Sequence, residues 1–217
     1  KDLQWIDKVD WIYSTILTIS EVEFNKENLL LHFKGLDTYA DVYLNNELLL
    51  EADNMFREWE VDLKKSATLG NNELKIYFHS PIQKGLLLLE AEGHAYPASN
   101  DQSENGELGD KKVSVFTRKA GYHYGWDWGP RFVTSGIWRP VVLKAWDSVR
   151  IKNTYIKQIN VTAEKAEIEA NVTINASTST EGKIVVIDKA NGKILAQQKV
   201  KAEKGSAEFS LPFTIES

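Results

Sequence analysis

The 217-residue sequence is long enough for one large domain or two of ordinary size, and its 42% hydrophobic and 26% charged residues are ordinary values for a globular protein. Its net charge of -5 is spread along the chain without a basic block, which argues against a nucleic-acid partner. No apolar run approaches the roughly 20 residues of a transmembrane helix, and the absence of cysteine excludes disulfides, thiolate nucleophiles and cysteine-bound zinc.

The N-terminal part of the sequence is predicted to form short β-strands separated by turns. The predicted strands cover residues 11–19, 29–33, 40–44, 48–50, 59–63 and 74–78. Alternation is clearest at 59–63, where every second residue is apolar. Asn45-Asn46-Glu47 separates two of the strands, and asparagine tolerates the left-handed backbone that a tight hairpin needs. Many short strands with turn signals between them are typical of a β-sandwich.

One α-helix is predicted at residues 82–92. Ser80 is a suitable N-cap, Pro81 is favoured at the first helical position, and Gly93 is a typical helix end. From residue 94 to residue 112 the chain is polar and rich in glycine, without a helical or strand period. We therefore expect a long surface loop, and loops of this length are often functional.

A change in composition near residues 145–150 predicts a domain boundary. The strands predicted after it lie about ten residues apart, at 156–162, 166–174, 183–187, 194–200 and 207–213. This spacing is typical of an immunoglobulin-like sandwich, which usually has about seven strands. We therefore predict an all-β chain with a β-sandwich domain at residues 1–147 and an immunoglobulin-like domain at 148–217 that is truncated at its C-terminus.

Aromatic residues are concentrated at residues 122–138. The overlapping segment Arg-Lys-Ala-Gly-Tyr-His-Tyr-Gly-Trp-Asp-Trp-Gly-Pro-Arg (118–131) fits neither the helical nor the strand period, and its glycines permit an irregular loop. Aromatic rings cover the apolar faces of sugars, whereas carboxylates and arginines bind their hydroxyls. Pattern alone leaves an equal alternative, a packed aromatic corner in which Asp127 is satisfied by backbone amides or pairs with Arg118 or Arg131.

Two motifs resemble known sequence signatures of glycoside hydrolase family 2. Ser-Gly-Ile-Trp-Arg-Pro-Val at residues 135–141 resembles the Gly-Ile-x-Arg-x-Val signature that ends the sugar-binding domain in β-galactosidases, β-glucuronidases and β-mannosidases. His-Tyr-Gly-Trp-Asp-Trp-Gly-Pro-Arg at 123–131 is similar to the narrower β-mannosidase branch. Supporting matches lie at residues 35–45 and 54–57. The resemblance covers nearly the whole chain, most strongly up to Trp146.

The resemblance implies a jelly-roll or galactose-binding-like β-sandwich, then an immunoglobulin-like domain, then a (β/α)8 barrel that carries two catalytic glutamates and retains the anomeric configuration. Such a barrel takes about 250 residues, more than this entire chain. The expected function is therefore that of a non-catalytic fragment of an exo-β-mannosidase, with no catalytic residue, cofactor or metal of its own. The expected partners are a terminal β-mannoside and the barrel of the same polypeptide.

The resemblance also implies a substrate-binding role for the aromatic loop. Asp127 matches the acid that the family's first domain supplies to the terminal-sugar subsite, so we expect it to bind mannose hydroxyls. Trp126 and Trp128 are expected to shape the pocket. Arg118 and Arg131 are weaker candidates, which hold the loop or pair with Asp127. We expect the loop to be mobile in this chain, since exposed loops usually are.

Three alternatives stay open at this stage. The chain could be a free-standing carbohydrate-binding module, the same fragment of a β-galactosidase or β-glucuronidase, or a structural sandwich without a ligand. His123 is interpreted as a structural hydrogen-bonding residue rather than a catalyst. The cellular location is also open, because a chain without cysteine carries no redox signature; it is periplasmic or extracellular if the parent protein is exported and cytoplasmic otherwise.

Overall fold

The computed structural model describes residues 2–216 and separates them into two compact units, the first ending at Ala145 and the second beginning at Trp146. Antiparallel strands dominate both units, which confirms the predicted all-β class. Within the described residues, neither helix is long and apolar enough to span a bilayer.

The first unit is built on strands that form two larger sheets and one short pair. The strands are β1 (Trp11–Ile19), β2 (Asn28–Phe33), β3 (Leu36–Asp37), β4 (Tyr39–Leu44), β5 (Glu47–Asp53), β6 (Trp59–Asp62), β7 (Gly70–Phe78), β8 (Gly136–Ile137) and β9 (Val141–Trp146). The sheet orders are β1-β7-β4-β5 and β6-β2-β9, and β3 pairs with β8. Each strand that was predicted in this unit is present.

The core of the first unit follows from the alternation along its strands. In β4 the residues Ala40, Val42 and Leu44 are all buried, and their neighbours in sequence are only half-buried. They pack with residues such as Phe33 and Phe78 in one apolar cluster. Burial of one face of each sheet is the main stabilising contribution expected for such a sandwich.

The predicted hairpin turn between β4 and β5 is confirmed. Asn45 and Asn46 have φ values of 51° and 69°, in the left-handed region that asparagine tolerates better than most residues. Leu44 pairs with Glu47 across the turn, so the loop has two residues. This geometry matches the right-handed twist of the flanking strands.

Two α-helices accompany the sheets. The predicted helix is present as α2 (Pro81–Glu92); the Ser80 hydroxyl accepts a 3.0 Å hydrogen bond from the Gln83 amide, and Gly93 ends the helix with a φ of 76°. The shorter helix, α1 (Glu21–Phe24), was not predicted. Ser20 caps it through a capping box with Glu23, a local signal that is readable in the sequence.

Helix α2 packs beside the aromatic segment. Ile82 from α2, Val113 just after the long loop, and Tyr124 and Val133 from the aromatic segment form a second buried cluster, and Leu108 from the long loop packs against it. Gly85 allows the close approach of Val113, since a Cβ at Gly85 would lie 2.7 Å from the Val113 Cβ. The 94–112 loop is therefore packed against the body of the domain.

The second unit contains the five predicted strands, each at least as long as expected. They are β10 (Val149–Val161), β11 (Lys165–Ala176), β12 (Thr180–Ile187), β13 (Ile194–Ala202) and β14 (Gly205–Glu216). The sheet orders are β10-β11-β14 and β12-β13. Its core consists mainly of small and β-branched side chains, including Ala170, Val172, Ile174 and Ala176.

Candidate functional site

The aromatic segment folds back on itself to form a finger, defined here as residues 122–132. The Phe132 amide donates a 2.8 Å hydrogen bond to the His123 carbonyl. Nearer the tip, the Trp126 amide donates to the Gly129 carbonyl at 3.1 Å, and the Gly129 amide donates back at 3.4 Å. Asp127 and Trp128 are therefore the two central residues of a tight turn at the tip of the finger.

The tip of the finger is exposed to solvent. Trp128 is 81% exposed and Trp126 39%, which is unusual for side chains of this size. Asp127 is also exposed, and it forms no hydrogen bond or ion pair with any residue between 2 and 216. The alternative of a packed corner in which Asp127 is satisfied internally is therefore wrong for this structure.

A shallow cavity of about 250 Å³ lies along one side of the finger. Its lining is largely aromatic and apolar, and consists of Tyr122, His123, Trp126, Trp128, Gly129, Pro130, Phe132 and Thr134. Aromatic faces of this kind suit the C–H faces of a pyranose ring. Asp127 does not line the cavity itself; it lies beside it, between the two tryptophans in sequence.

Arg131 does not contact the Asp127 carboxylate, and its side chain is fully buried. Its Nη1 lies 2.5 Å from the Asp7 carboxylate and donates to the Gln4 side-chain oxygen at 2.9 Å. Burial raises the pKa of Asp7, and the Arg131 charge opposes that shift. The expectation that Arg131 binds substrate or pairs with Asp127 is corrected, because a fully buried guanidinium is inaccessible to a sugar and requires an acid at its side.

Arg118 occupies the opposite kind of environment. Its side chain is 68% exposed, and its Nη1 lies 3.2 Å from the Asp53 carboxylate. The Arg118 carbonyl accepts a 3.0 Å hydrogen bond from the Met55 amide, which fixes the backbone just before the finger. Arg118 therefore pairs with Asp53 rather than with Asp127, and its guanidinium stays accessible to solvent.

Lys119 is a site residue that sequence patterns did not reveal. Its ammonium group is fully buried, binds the Asp37 carboxylate and donates a 2.6 Å hydrogen bond to the Thr134 carbonyl. Burial lowers the pKa of Lys119, while Asp37 opposes that change. The structure shows Asp37 buried beside Leu36 in the two-residue strand β3, where an acid requires a cationic partner, but the sequence alone does not identify that partner.

His123 lies at the base of the finger, close to this ion pair. Burial lowers the pKa of His123, and the positive charge of Lys119 lowers it further. Its ring stacks on Tyr122 with centroids 4.9 Å apart. These contacts favour the neutral imidazole and agree with a structural interpretation.

The long 94–112 loop supports the finger through Gln102. The Gln102 side-chain amide donates a 2.9 Å hydrogen bond to the Trp126 carbonyl, and the Gln102 backbone amide donates to the Tyr124 carbonyl at the same distance. Gly125 has a φ of 114°, and a Cβ there would lie 2.6 Å from the Gln102 side chain. Glycine at 125 thus permits both the backbone conformation and the contact.

No metal centre is evident in the described part of the chain, where no group of three or more histidine, aspartate and glutamate side chains is placed to hold an ion.

The two antiparallel sheets of the first unit form the kind of β-sandwich found in galactose-binding-like domains. The chain belongs to the glycosyl hydrolase 2 galactose-binding domain-like family, whose model matches residues 1–139. The family assignment expected from the two sequence motifs is thereby confirmed.

The curated relatives include β-mannosidases. The chain is 32% identical to β-mannosidase B of Thermothelomyces thermophilus over 216 residues, which make up 99% of this chain and 24% of that protein. For β-mannosidase B of Aspergillus niger the identity is 33%, covering 97% of this chain and 24% of the relative. The chain thus spans about a quarter of the length of these relatives.

Solved structures of glycoside hydrolases are also similar to this chain. A β-D-mannosidase from Dictyoglomus thermophilum superposes with a TM-score of 0.81 at 32% identity, covering 99% of this chain and 25% of that one. An exo-chitosanase from Amycolatopsis orientalis superposes with a TM-score of 0.66 at 15% identity, and a β-glucuronidase of glycoside hydrolase family 2 with 0.65 at 18%. These last two likenesses concern the fold alone.

Proposed function

We propose that this chain is the sugar-binding part of a retaining exo-β-mannosidase and that its finger forms one wall of the pocket for the terminal β-mannose. The observation that carries the proposal is the Asp127 carboxylate, which is exposed at the tip of the finger without a partner among residues 2–216. A carboxylate with free lone pairs is a strong acceptor for sugar hydroxyls. The similarity to proteins named β-mannosidase supports the choice of sugar.

We propose that another part of a longer polypeptide cleaves the glycosidic bond. In a retaining glycosidase one carboxyl group protonates the leaving oxygen and a second attacks the anomeric carbon. In this proposal both groups are glutamates of a (β/α)8 barrel, and no residue of this chain takes either role. Asp127 and the tryptophans Trp126 and Trp128 bind and orient the non-reducing sugar, and Arg118 remains a weaker candidate for the same task.

We also propose that residues 1–147 form the sugar-binding domain and 148–217 the first part of an immunoglobulin-like domain. Five antiparallel strands in two sheets support the second assignment, since such sandwiches have a comparable arrangement with about seven strands. A cavity of about 420 Å³, lined by β10, β11, β12 and β13, is consistent with a sandwich whose strands are not all in this chain.

The test is a kinetic comparison made on the complete gene product with aryl β-mannosides. Loss of a charge-assisted hydrogen bond costs about 1.5–3 kcal/mol, so Asp127→Ala should lower kcat/KM by about 10- to 100-fold. Asp127→Asn keeps the shape and should lose less. The matched control is Asp110→Ala, which removes an exposed acid from the neighbouring loop and should leave kcat/KM unchanged.

Three outcomes contradict the proposal. Hydrolysis of β-galactosides alone would exclude the mannosidase assignment, and an unchanged kcat/KM in Asp127→Ala would exclude the site. Binding of mannose by the 217-residue chain alone at millimolar concentration or below would favour a free-standing carbohydrate-binding module, because the proposed pocket is completed only by a barrel.

A further inference from the structure

The base of the finger is tied to the sandwich through Lys119. Its buried ammonium group binds Asp37, which ends strand β3, and donates to the Thr134 carbonyl. Lys119 precedes the finger in the chain and Thr134 follows it. The Lys119 ammonium group therefore connects the segment that enters the finger, the segment that leaves it, and strand β3.

Arg131 forms a second, independent connection on the returning side of the finger. Its guanidinium binds Asp7 and Gln4, and the Gln4 side-chain amide donates a 2.8 Å hydrogen bond to the Arg131 carbonyl. Gly106 in the long loop packs against the guanidinium, because a Cβ there would lie 2.5 Å from the Arg131 Cζ. The returning side is thus joined to the N-terminal segment and to the 94–112 loop.

Displacing the base of the finger would separate two buried ion pairs. Asp37 and Asp7 are 4% exposed each, so either carboxylate would be left in the interior without its cation. A buried charge without a partner is strongly unfavourable. The hydrogen bond between Phe132 and His123, and that between Gln102 and Trp126, extend the same restraint toward the tip.

We infer that the ion pairs Lys119–Asp37 and Arg131–Asp7 preorganise the finger, so that Asp127 is held in one position in this chain without any further domain. Lys119 and Arg131 are then positioning residues for the sugar site, and this catalytic consequence rests on the proposed function. The inference replaces the expectation of a mobile loop, because that expectation treated the segment as an exposed loop without internal connections.

Hydrogen exchange of the 217-residue chain tests preorganisation without any assay of activity. The amides of His123 and Phe132 should be protected in the unmodified chain, because the His123 amide donates to the Ala120 carbonyl and the Phe132 amide donates to the His123 carbonyl. Lys119→Met should speed their exchange by about tenfold or more, since it frees the base of the finger. The matched control is Lys165→Met, which removes a half-exposed lysine of the second unit 2.6 Å from Glu167 and should leave these two amides unchanged.

A second variant keeps the test decisive if Lys119→Met does not fold. The double variant D37N/K119M removes both charges and leaves no ionised group unpaired in the interior, so it serves if Lys119→Met is unfolded. In either variant, unchanged protection of His123 and Phe132 overturns the inference. Exchange of these amides in the unmodified chain at the rate of an unstructured peptide overturns it as well.

A double-mutant cycle on the complete gene product tests the positioning role. If Lys119 acts through Asp127, Lys119→Met should raise KM for an aryl β-mannoside by about tenfold in the unmodified protein and by less than about twofold beside Asp127→Ala. Equal increases in both backgrounds indicate a general structural role and overturn the positioning claim. A gene product inactive on β-mannosides defeats the proposed function, whereas the exchange experiment still decides preorganisation.

Discussion

The base and the tip of the finger use charged residues in opposite ways. At the base, Lys119 and Arg131 have fully buried side chains, and each is bound to a carboxylate. At the tip, Asp127 is exposed and unpaired within the described residues, next to the most exposed tryptophan of the finger. Charges with internal partners contribute to the position of the segment, whereas a charge without one is available to a ligand. In our two proposals, the charged residues at the base hold the site and the carboxylate at the tip binds the sugar.

The largest expected effect comes from removing a buried cation at the base. Arg131→Met should lower the free energy of unfolding of the first unit by about 3–5 kcal/mol, because Asp7 remains buried without its partner. The matched control is Arg118→Met, since Arg118 forms an exposed pair with Asp53, and such pairs are worth about 0–1 kcal/mol. Urea unfolding measures both values, and similar losses for the two variants would remove the distinction between base and surface.

Sequence patterns predict the elements of this fold well because their signals are local. The Ser80 cap and Gly93 lie beside the helix that they delimit, and Asn45-Asn46 lies inside the hairpin that it forms. The four-residue helix α1 was not predicted because a single turn is too short to show a helical period. Its capping box is the signal that remains.

The site is predicted less completely because its contacts join distant parts of the chain. Arg131 pairs with Asp7 across 124 positions, and Lys119 with Asp37 across 82. In the sequence, an arginine close to Asp127 looks like a partner of that acid. Only the fold shows that a different acid lies next to the arginine. The sugar-binding role of Asp127, Trp126 and Trp128 is still a prediction.

A smaller effect is expected from His123 when the pH falls. Its pKa in the folded chain lies below the ordinary value because of burial and the nearby Lys119 charge, with Asp37 opposing the shift. Between that lowered pKa and about 6.5 the unfolded chain binds a proton that the folded chain does not. The free energy of unfolding should therefore decrease as the pH falls through this window.

Urea unfolding at a series of pH values checks the contribution of His123. His123→Asn should flatten the pH dependence in that window relative to the unmodified chain. His94→Asn is the control, because the His94 side chain is 59% exposed and lies 3.8 Å from Glu92. Identical slopes for the unmodified chain and His123→Asn would show that His123 titrates equally in the folded and unfolded states.

The smallest effect on stability is expected at the tip. Trp128 is 81% exposed, so Trp128→Ala removes little buried surface and should change the free energy of unfolding by less than about 0.5 kcal/mol. The same substitution should weaken mannoside binding by the complete gene product, seen as a higher KM, because an aromatic face is lost from the proposed pocket. Trp59→Ala supplies the contrast: Trp59 lies in β6 and packs against the main core, so its loss should destabilise the fold. A Trp128→Ala variant that is clearly destabilised would mean that the tip, like the base, serves the fold rather than a ligand.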